Sequence, residues 1–193
     1  MVKTEVSDIV KGALPVLLFC ALFQVGAGSI LGGMESEFRI LPGLLVMVPP
    51  LLGLRGNISG ALASRLGTGL HQGIIDPGSL WGPEVRTNVG ASVFLTFMVS
   101  VVAGFLALAV TILTGNSFSF LLLSRLVLIA VLAGMLSSAG LISLTVMVAL
   151  FSYRRGWDPD NVTSPLMASI GDLVTVLSIY GAFVLVKTMI LVG

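Results

Sequence analysis

The sequence predicts an all-α integral membrane protein with five transmembrane helices, the second of them interrupted. Three observations carry that prediction. Of the 193 residues 56% are hydrophobic and only 10% charged, where soluble domains carry about 25% charged residues. The ten basic and nine acidic residues are clustered, leaving charge-free windows at 12–34, 40–54, 87–124 and 126–153, most of them long enough for a hydrocarbon core that takes about 20 apolar residues. A further window, 161–186, is broken by one carboxylate, Asp172. The whole chain, 1–193, reads as a single membrane domain, with no soluble domain, low-complexity tail or internal duplication.

The first span is expected over 13–34. Its apolar run is too long for a signal peptide and lacks a small-residue cleavage pattern, so it reads as a retained helix. Cys20, the sole cysteine, lies inside it and reads as a packing residue. After Glu35-Ser-Glu37-Phe-Arg39 an apolar run starts at Ile40 and stops at Arg55, covering about 22 Å, short of a full crossing. Gly56 to Gly73 is helix-compatible but polar on one side, so 40–73 reads as one helix broken at Gly53-Leu-Arg-Gly-Asn57.

Turn formers around Asp76-Pro77-Gly78 separate this unit from a third span at 84–114. A short turn, Thr114 to Ser117, leads to a fourth span at 118–153, where Arg125 can snorkel to the interface. The fifth span starts after Asp158-Pro159 or after Ser164-Pro165, each a cap followed by proline at the first helical position, and runs to Leu191. With five crossings Lys3, Lys11, Arg65, Arg86, Arg154 and Arg155 share one side, and Arg39, Arg125 and Lys187 the other. That bias puts the N-terminus in the cytoplasm and the C-terminus outside, with the plasma membrane as the expected location.

Asp172 is the residue to explain, because an acid near the bilayer centre costs roughly 2.5–3.5 kcal/mol and usually has a cavity, an ion or a partner. By three-and-four spacing it shares a stripe with Ala168, Ser169, Thr175 and Ile179, a small and partly polar face able to approach a twin helix closely. In a two-fold dimer with Asp172 near the axis, the two carboxylates must share a proton or be neutralised by a cation. A divalent cation matches that charge, and oxygen-only ligation favours a hard ion such as Mg²⁺, which keeps most of its water. As an alternative, Asp172 serves as hydrogen-bonding glue between helices.

The Pro49-Pro50 pair and the glycines around Asn57 form the second cluster. Broken backbone at membrane depth is tolerated where it lines a cavity, so Asn57 and nearby carbonyls are candidate pathway groups. Arg55 and Arg65 are expected to anchor the cytoplasmic boundary, and His71 to be an interfacial residue. Asp158 and Asp160 suit a helix N-terminus and, as a second role, a cation-attracting mouth. The glycosylation patterns at Asn57 and Asn161 fall on or near the inferred cytoplasmic side and are discounted.

Two motifs, Pro50-Leu-Leu-Gly-Leu-Arg-Gly-Asn57 through Ala63-Ser-Arg-Leu66, and Asp158-Pro-Asp-Asn161 through Pro165 to Gly171-Asp172-Leu173, resemble the membrane domain of the MgtE-type magnesium transporters. The chain is most similar to one repeat of solute carrier family 41. The resemblance implies a five-helix protomer and a homodimeric pore, with the acid matching Asp172 binding the permeating Mg²⁺, Asn57 contributing nearby, and Asp158 lying where regulatory ions bind. Ala168, Ser169 and Thr175 are the weaker candidate ligands beside Asp172. MgtE-type proteins also carry a cytosolic acidic domain and paired CBS modules, whereas only twelve residues precede the first span here, so gating by such modules is expected to need a separate protein.

The expected function is therefore transport of divalent cations, Mg²⁺ first, by a homodimer in a lipid bilayer, with no nucleic-acid partner. A Na⁺- or H⁺-coupled carrier is the alternative within transport, distinguished by gradient dependence. A non-transporting membrane subunit is the alternative outside it, distinguished by the absence of Mg²⁺-dependent stabilisation. An enzyme is not expected, since no His or Cys constellation or serine–base pair accompanies Asp172.

Overall fold

The computed structural model describes residues 2–79, 81–156 and 159–192. The described chain folds into α1 (Val2–Gly33), α2 (Glu35–Ile40), α3 (Leu44–His71), α4 (Pro83–Leu113), α5 (Phe120–Arg154) and α6 (Pro159–Val192). Four of these, α3, α4, α5 and α6, are long and apolar enough to cross a membrane; α1 contributes the apolar stretch Leu17–Gly33. The third and fourth expected spans coincide with α4 and α5, and α6 takes the earlier of its two expected starts. Asp158, expected to cap α6, lies outside the described residues.

The expected break in the second span is absent, and this corrects the sequence reading. α3 is continuous from Leu44 to His71 with Pro49 and Pro50 inside it. Gly53 and Gly56 carry no positive φ, so they take helical geometry instead of using the freedom glycine has. A mid-helix proline forfeits a hydrogen bond and crowds the preceding turn, but spanning helices tolerate it because neighbours and local adjustments satisfy the freed carbonyls. The chain turns earlier instead, at Leu41 to Gly43. Gly43 adopts φ 92°, and a Cβ there would meet Thr111 Oγ1 and come within 3.1 Å of Leu126 Cδ1. Glycine is thus required twice over, by conformation and by space.

Local chemistry fixes the other helix ends. α3 stops at Gly73, φ 70°, whose N–H donates to the Leu70 carbonyl while Ile74 N–H reaches Gly69 O, a glycine-terminated helix end. Gly78 N–H then donates to Asp76 Oδ1 at 2.8 Å, closing the turn expected at Asp76-Pro77-Gly78. Pro83 opens α4, where its missing N–H has no helical role, and Glu84 sits favourably in the first turn.

The spans alternate in direction. The start of α3, the end of α4 and the start of α5 meet at one end of the bundle, around Gly43, Thr111 and Leu126. At the other end His71 packs edge-on against Tyr153 with centroids 5.4 Å apart, and Arg154 Nε donates to Pro77 O at 2.6 Å. α6 packs against α5, α3 and α1. Small residues set the closest approach: a Cβ on Gly104 would lie 2.7 Å from Val127 Cα, which brings the α4 and α5 backbones together as small residues do between membrane helices.

The buried apolar side chains form two separate clusters. One, towards the α3 start, includes Leu44, Leu51, Ala107, Ile129 and Phe183. The other, towards the α3 end, includes Leu62, Leu66, Val85, Val146 and Leu150. Between them α3, α4 and α5 bury Arg55, Ser59, Thr96, Ser100, Gly134, Ser137 and Ser138 beside the apolar Ile58 and Leu141, and that largely polar layer positions the site.

Candidate functional site

Arg55 stands at the centre of the layer, 2% exposed and the largest fully buried side chain in the described bundle. Its Nη1 donates to Ser138 Oγ at 2.6 Å and its Nη2 to the Gly134 carbonyl at 2.5 Å, both on α5. Having accepted from the guanidinium, Ser138 donates to Thr96 Oγ1 on α4 at 2.9 Å, and Thr96 donates to the Ser92 carbonyl at 2.8 Å. One donor direction runs from α3 through α5 to α4 and ends on a backbone oxygen. Arg55 therefore does not anchor a membrane boundary, which corrects the expectation for it; the desolvation it suffers is offset by charge-assisted hydrogen bonds, the stronger kind. Arg65, exposed and nearer the α3 end, reaches Ser92 Oγ at 3.4 Å.

The network is made possible by one residue lacking a side chain. A Cβ on Gly134 would collide with Ser100 Oγ and lie 3.4 Å from Arg55 Nη2, so glycine there opens the carbonyl to the guanidinium. Ser92, Thr96 and Ser100 recur four apart on α4 and are each fully buried, forming a polar stripe turned into the protein. Two atoms in this region remain unsatisfied among the described residues, Arg55 Nε and Ser100 Oγ.

Asp172 enters the same layer from α6. A Cβ on Gly171 would lie 4.0 Å from Arg55 Cβ and 3.6 Å from Leu141 Cδ1, whereas Leu173 Cδ1 lies against Gly26 of α1 at 3.8 Å from a Cβ built there. At about 100° per residue Asp172 points between those two directions, on the inward stripe of α6 that also carries Val176, Ile179 and Phe183. Those neighbours are at most 4% exposed, yet Asp172 is only half-buried. Its carboxylate has no ion pair or hydrogen bond among the described residues. It sits about 20 Å along the helix from Pro159, deep in the span.

The other expected site residues fall into two groups. Ser169 and Thr175 are buried, 3% and 1% exposed, and Ala168 is half-buried. Much of the stripe expected to face a twin helix is thus taken up inside the protomer, and Thr175 Oγ1 is one of its unsatisfied buried atoms. Asn57 lies two residues beyond Arg55 on the opposite, exposed face of α3, at the level of Asp172 because Gly171 touches α3 at Arg55. His71 is exposed, with Nδ1 2.8 Å from Gly67 O, consistent with an end position. No group of three His, Cys, Asp or Glu side chains able to cage a metal occurs among the described residues.

The exposed face of α3 differs from that of its neighbours. α4 presents Phe94, Phe97, Phe105 and Leu113 outward, and α1 presents Leu18, Leu22 and Val25, whereas Leu45 is the one large hydrophobic side chain that α3 exposes. The other exposed positions of α3 are Pro49, Pro50, Gly53, Asn57, Ala61, Ser64, Arg65, Thr68 and His71. A spanning helix exposing small and polar groups is facing protein or water, not lipid.

Sequence reading missed the Arg55 network because its members are about eighty residues apart. The signal available was the four-residue recurrence of hydroxyls at Ser92, Thr96 and Ser100 in an otherwise apolar span.

A helical membrane bundle with a polar layer at mid-span and a solitary acid opening from it defines a class, the membrane proteins that handle ions. A family model described as MgtE, divalent cation transporter, matches residues 48–182. Solute carrier family 41 member 3 of Rattus norvegicus is 29% identical over 185 residues, covering 94% of this chain and 40% of that protein. Solute carrier family 41 member 2 of Homo sapiens is 32% identical over 181 residues, covering 86% of this chain and 30% of its own length. The chicken form, from Gallus gallus, is 34% identical over 166 residues, covering 78% and 27% respectively. The chain thus spans well under half the length of these relatives. It belongs to the MgtE family, which comprises transporters and not enzymes.

Proposed function

We propose that residues 1–193 form one membrane unit of a divalent cation transporter, with Mg²⁺ as the preferred substrate, working as a homodimer with the pathway on its two-fold axis. The observation that carries the reading is Asp172, a half-buried carboxylate without an ion pair among the described residues, on an otherwise sealed helix face at the level of the mid-span polar layer. α1 makes the fifth crossing, the N-terminus is cytoplasmic and the plasma membrane is the site of action. The exposed small and polar face of α3 meets its counterpart across the axis, which brings Asn57 beside the pathway.

A hydrated Mg²⁺ ion holds its water tightly and needs only one or two carboxylates. Asp172 from each protomer supplies them and matches the double charge, with Asn57 as a weaker contributor and Ala168, Ser169 and Thr175 as the packing and hydroxyl groups around the acid. Asp158, outside the described residues, is assigned to the cytoplasmic mouth on the family resemblance alone. Arg55, tied to Ser138 and Gly134, is held away from the carboxylate, so the acid remains available to the ion instead of being neutralised inside the protomer. The test is Mg²⁺ uptake into proteoliposomes. Asp172→Asn abolishes uptake while leaving a folded dimer by gel filtration; uptake at the unsubstituted rate removes Asp172 from the pathway.

A further inference from the structure

A second cationic feature lies far from Asp172, at the end of the bundle where α3 and α5 begin and α6 ends. A cavity of about 200 Å³ is lined by Ile40, Leu41, Arg125, Ile129, Phe183, Val186 and Lys187. Two of the seven are cations and none is acidic. Neither cation has an ion pair among the described residues, and Arg125 Nε is buried without a hydrogen-bond partner. Arg125 is five residues into α5 and Lys187 five residues before the end of α6, each about 7–8 Å inside its helix terminus. With the helix termini at the bilayer surface, that distance would bring both cations to the boundary between headgroups and acyl chains.

We propose that this cavity binds an anionic phospholipid, its phosphate held between Arg125 and Lys187 and the first part of an acyl chain lying along the exposed Ile40 and the edges of Phe183 and Val186. Guanidinium is suited to phosphate because its donors form a planar fork, and the exposed Lys187 adds a mobile point charge. The apolar walls argue against a free anion, which would gain nothing from them. The unopposed double positive charge argues against a zwitterionic lipid as the preferred occupant. Basic pockets between spanning helices select anionic headgroups on the cytoplasmic side of membranes, and the same chemistry applies at this end of the bundle, which the charge bias places outside.

Native mass spectrometry of the purified protein, released from micelles doped with equal phosphatidylglycerol and phosphatidylcholine, tests this directly. Phosphatidylglycerol adducts should predominate by about tenfold or more, from about 1 kcal/mol for each of two basic groups. The double variant Arg125→Gln, Lys187→Gln should lose that preference, and the single Lys187→Gln, at an exposed position, should lose part of it with an unchanged melting temperature. Equal retention of both lipids, undiminished preference in the double variant, or displacement of the lipid by inorganic phosphate alone would each overturn the proposal. So would protection of the cavity by a second copy of the chain, seen as lipid adducts on monomers and none on dimers.

Discussion

Arg55 and Asp172 enter one layer from neighbouring helices, yet their environments are opposite. The guanidinium is sealed and hydrogen-bonded; the carboxylate is half-buried and has no partner among the described residues. Arg55→Leu should lower stability by about 2–4 kcal/mol, since it removes two charge-assisted hydrogen bonds while relieving one desolvated charge. Arg55→Lys, which keeps the charge but not the two-pronged reach, should fall between that variant and the unsubstituted protein in thermal unfolding in detergent. Asp172→Asn should leave the unfolding midpoint nearly unchanged, because the carboxylate has no ion pair or hydrogen bond to lose among the described residues. The two residues also differed in legibility. Asp172 stood out as the one charge in a window of 26 residues, whereas Arg55 sat where an apolar run ended among glycines, which is also what a membrane boundary looks like. Its partners, Gly134 and Ser138, lie on another helix, and no local pattern connects them to it.

Close approach between α4 and α5 rests on two glycines that should respond differently to a methyl group. At Gly134 the added Cβ meets the Ser100 side chain first, so Gly134→Ala should cost about 1–3 kcal/mol and be largely rescued by Ser100→Gly. At Gly104 it meets the Val127 backbone, so Gly104→Ala should cost more and resist rescue by side-chain truncation at Val127. Ser100→Ala alone should be neutral or mildly stabilising, because the hydroxyl it deletes is buried without a partner. Thermal unfolding of the single and double variants checks all of these. The positions of α4 and α5 were foretold by charge-free windows, since desolvation of charge is what a bilayer penalises most, whereas α1, which starts at Val2 through four charged residues, and the short helix α2, Glu35–Ile40, were not. Continuity of α3 was not, because Pro49, Pro50, Gly53 and Gly56 are judged by soluble-helix propensities that membrane packing overrides.

At the scale of the whole molecule, the contrast between the lipid-suited face of α4 and the less apolar face of α3 predicts where two protomers of the proposed homodimer would meet. In a Cys20→Ala background, Ala61→Cys on the α3 face should form disulfide-linked dimers on oxidation, and Phe94→Cys on the α4 face should not. Equal cross-linking from both positions would place the dimer contact elsewhere. The central proposal is that a divalent cation passes along the two-fold axis between protomers, at the level of the mid-span polar layer and beside Asp172. The most direct measurement is anomalous diffraction from crystals loaded with Mn²⁺ in place of Mg²⁺. The account predicts a peak within one hydration layer of the Asp172 carboxylates, absent from Asp172→Asn crystals. Peaks confined to other places, unchanged in that variant, would contradict it.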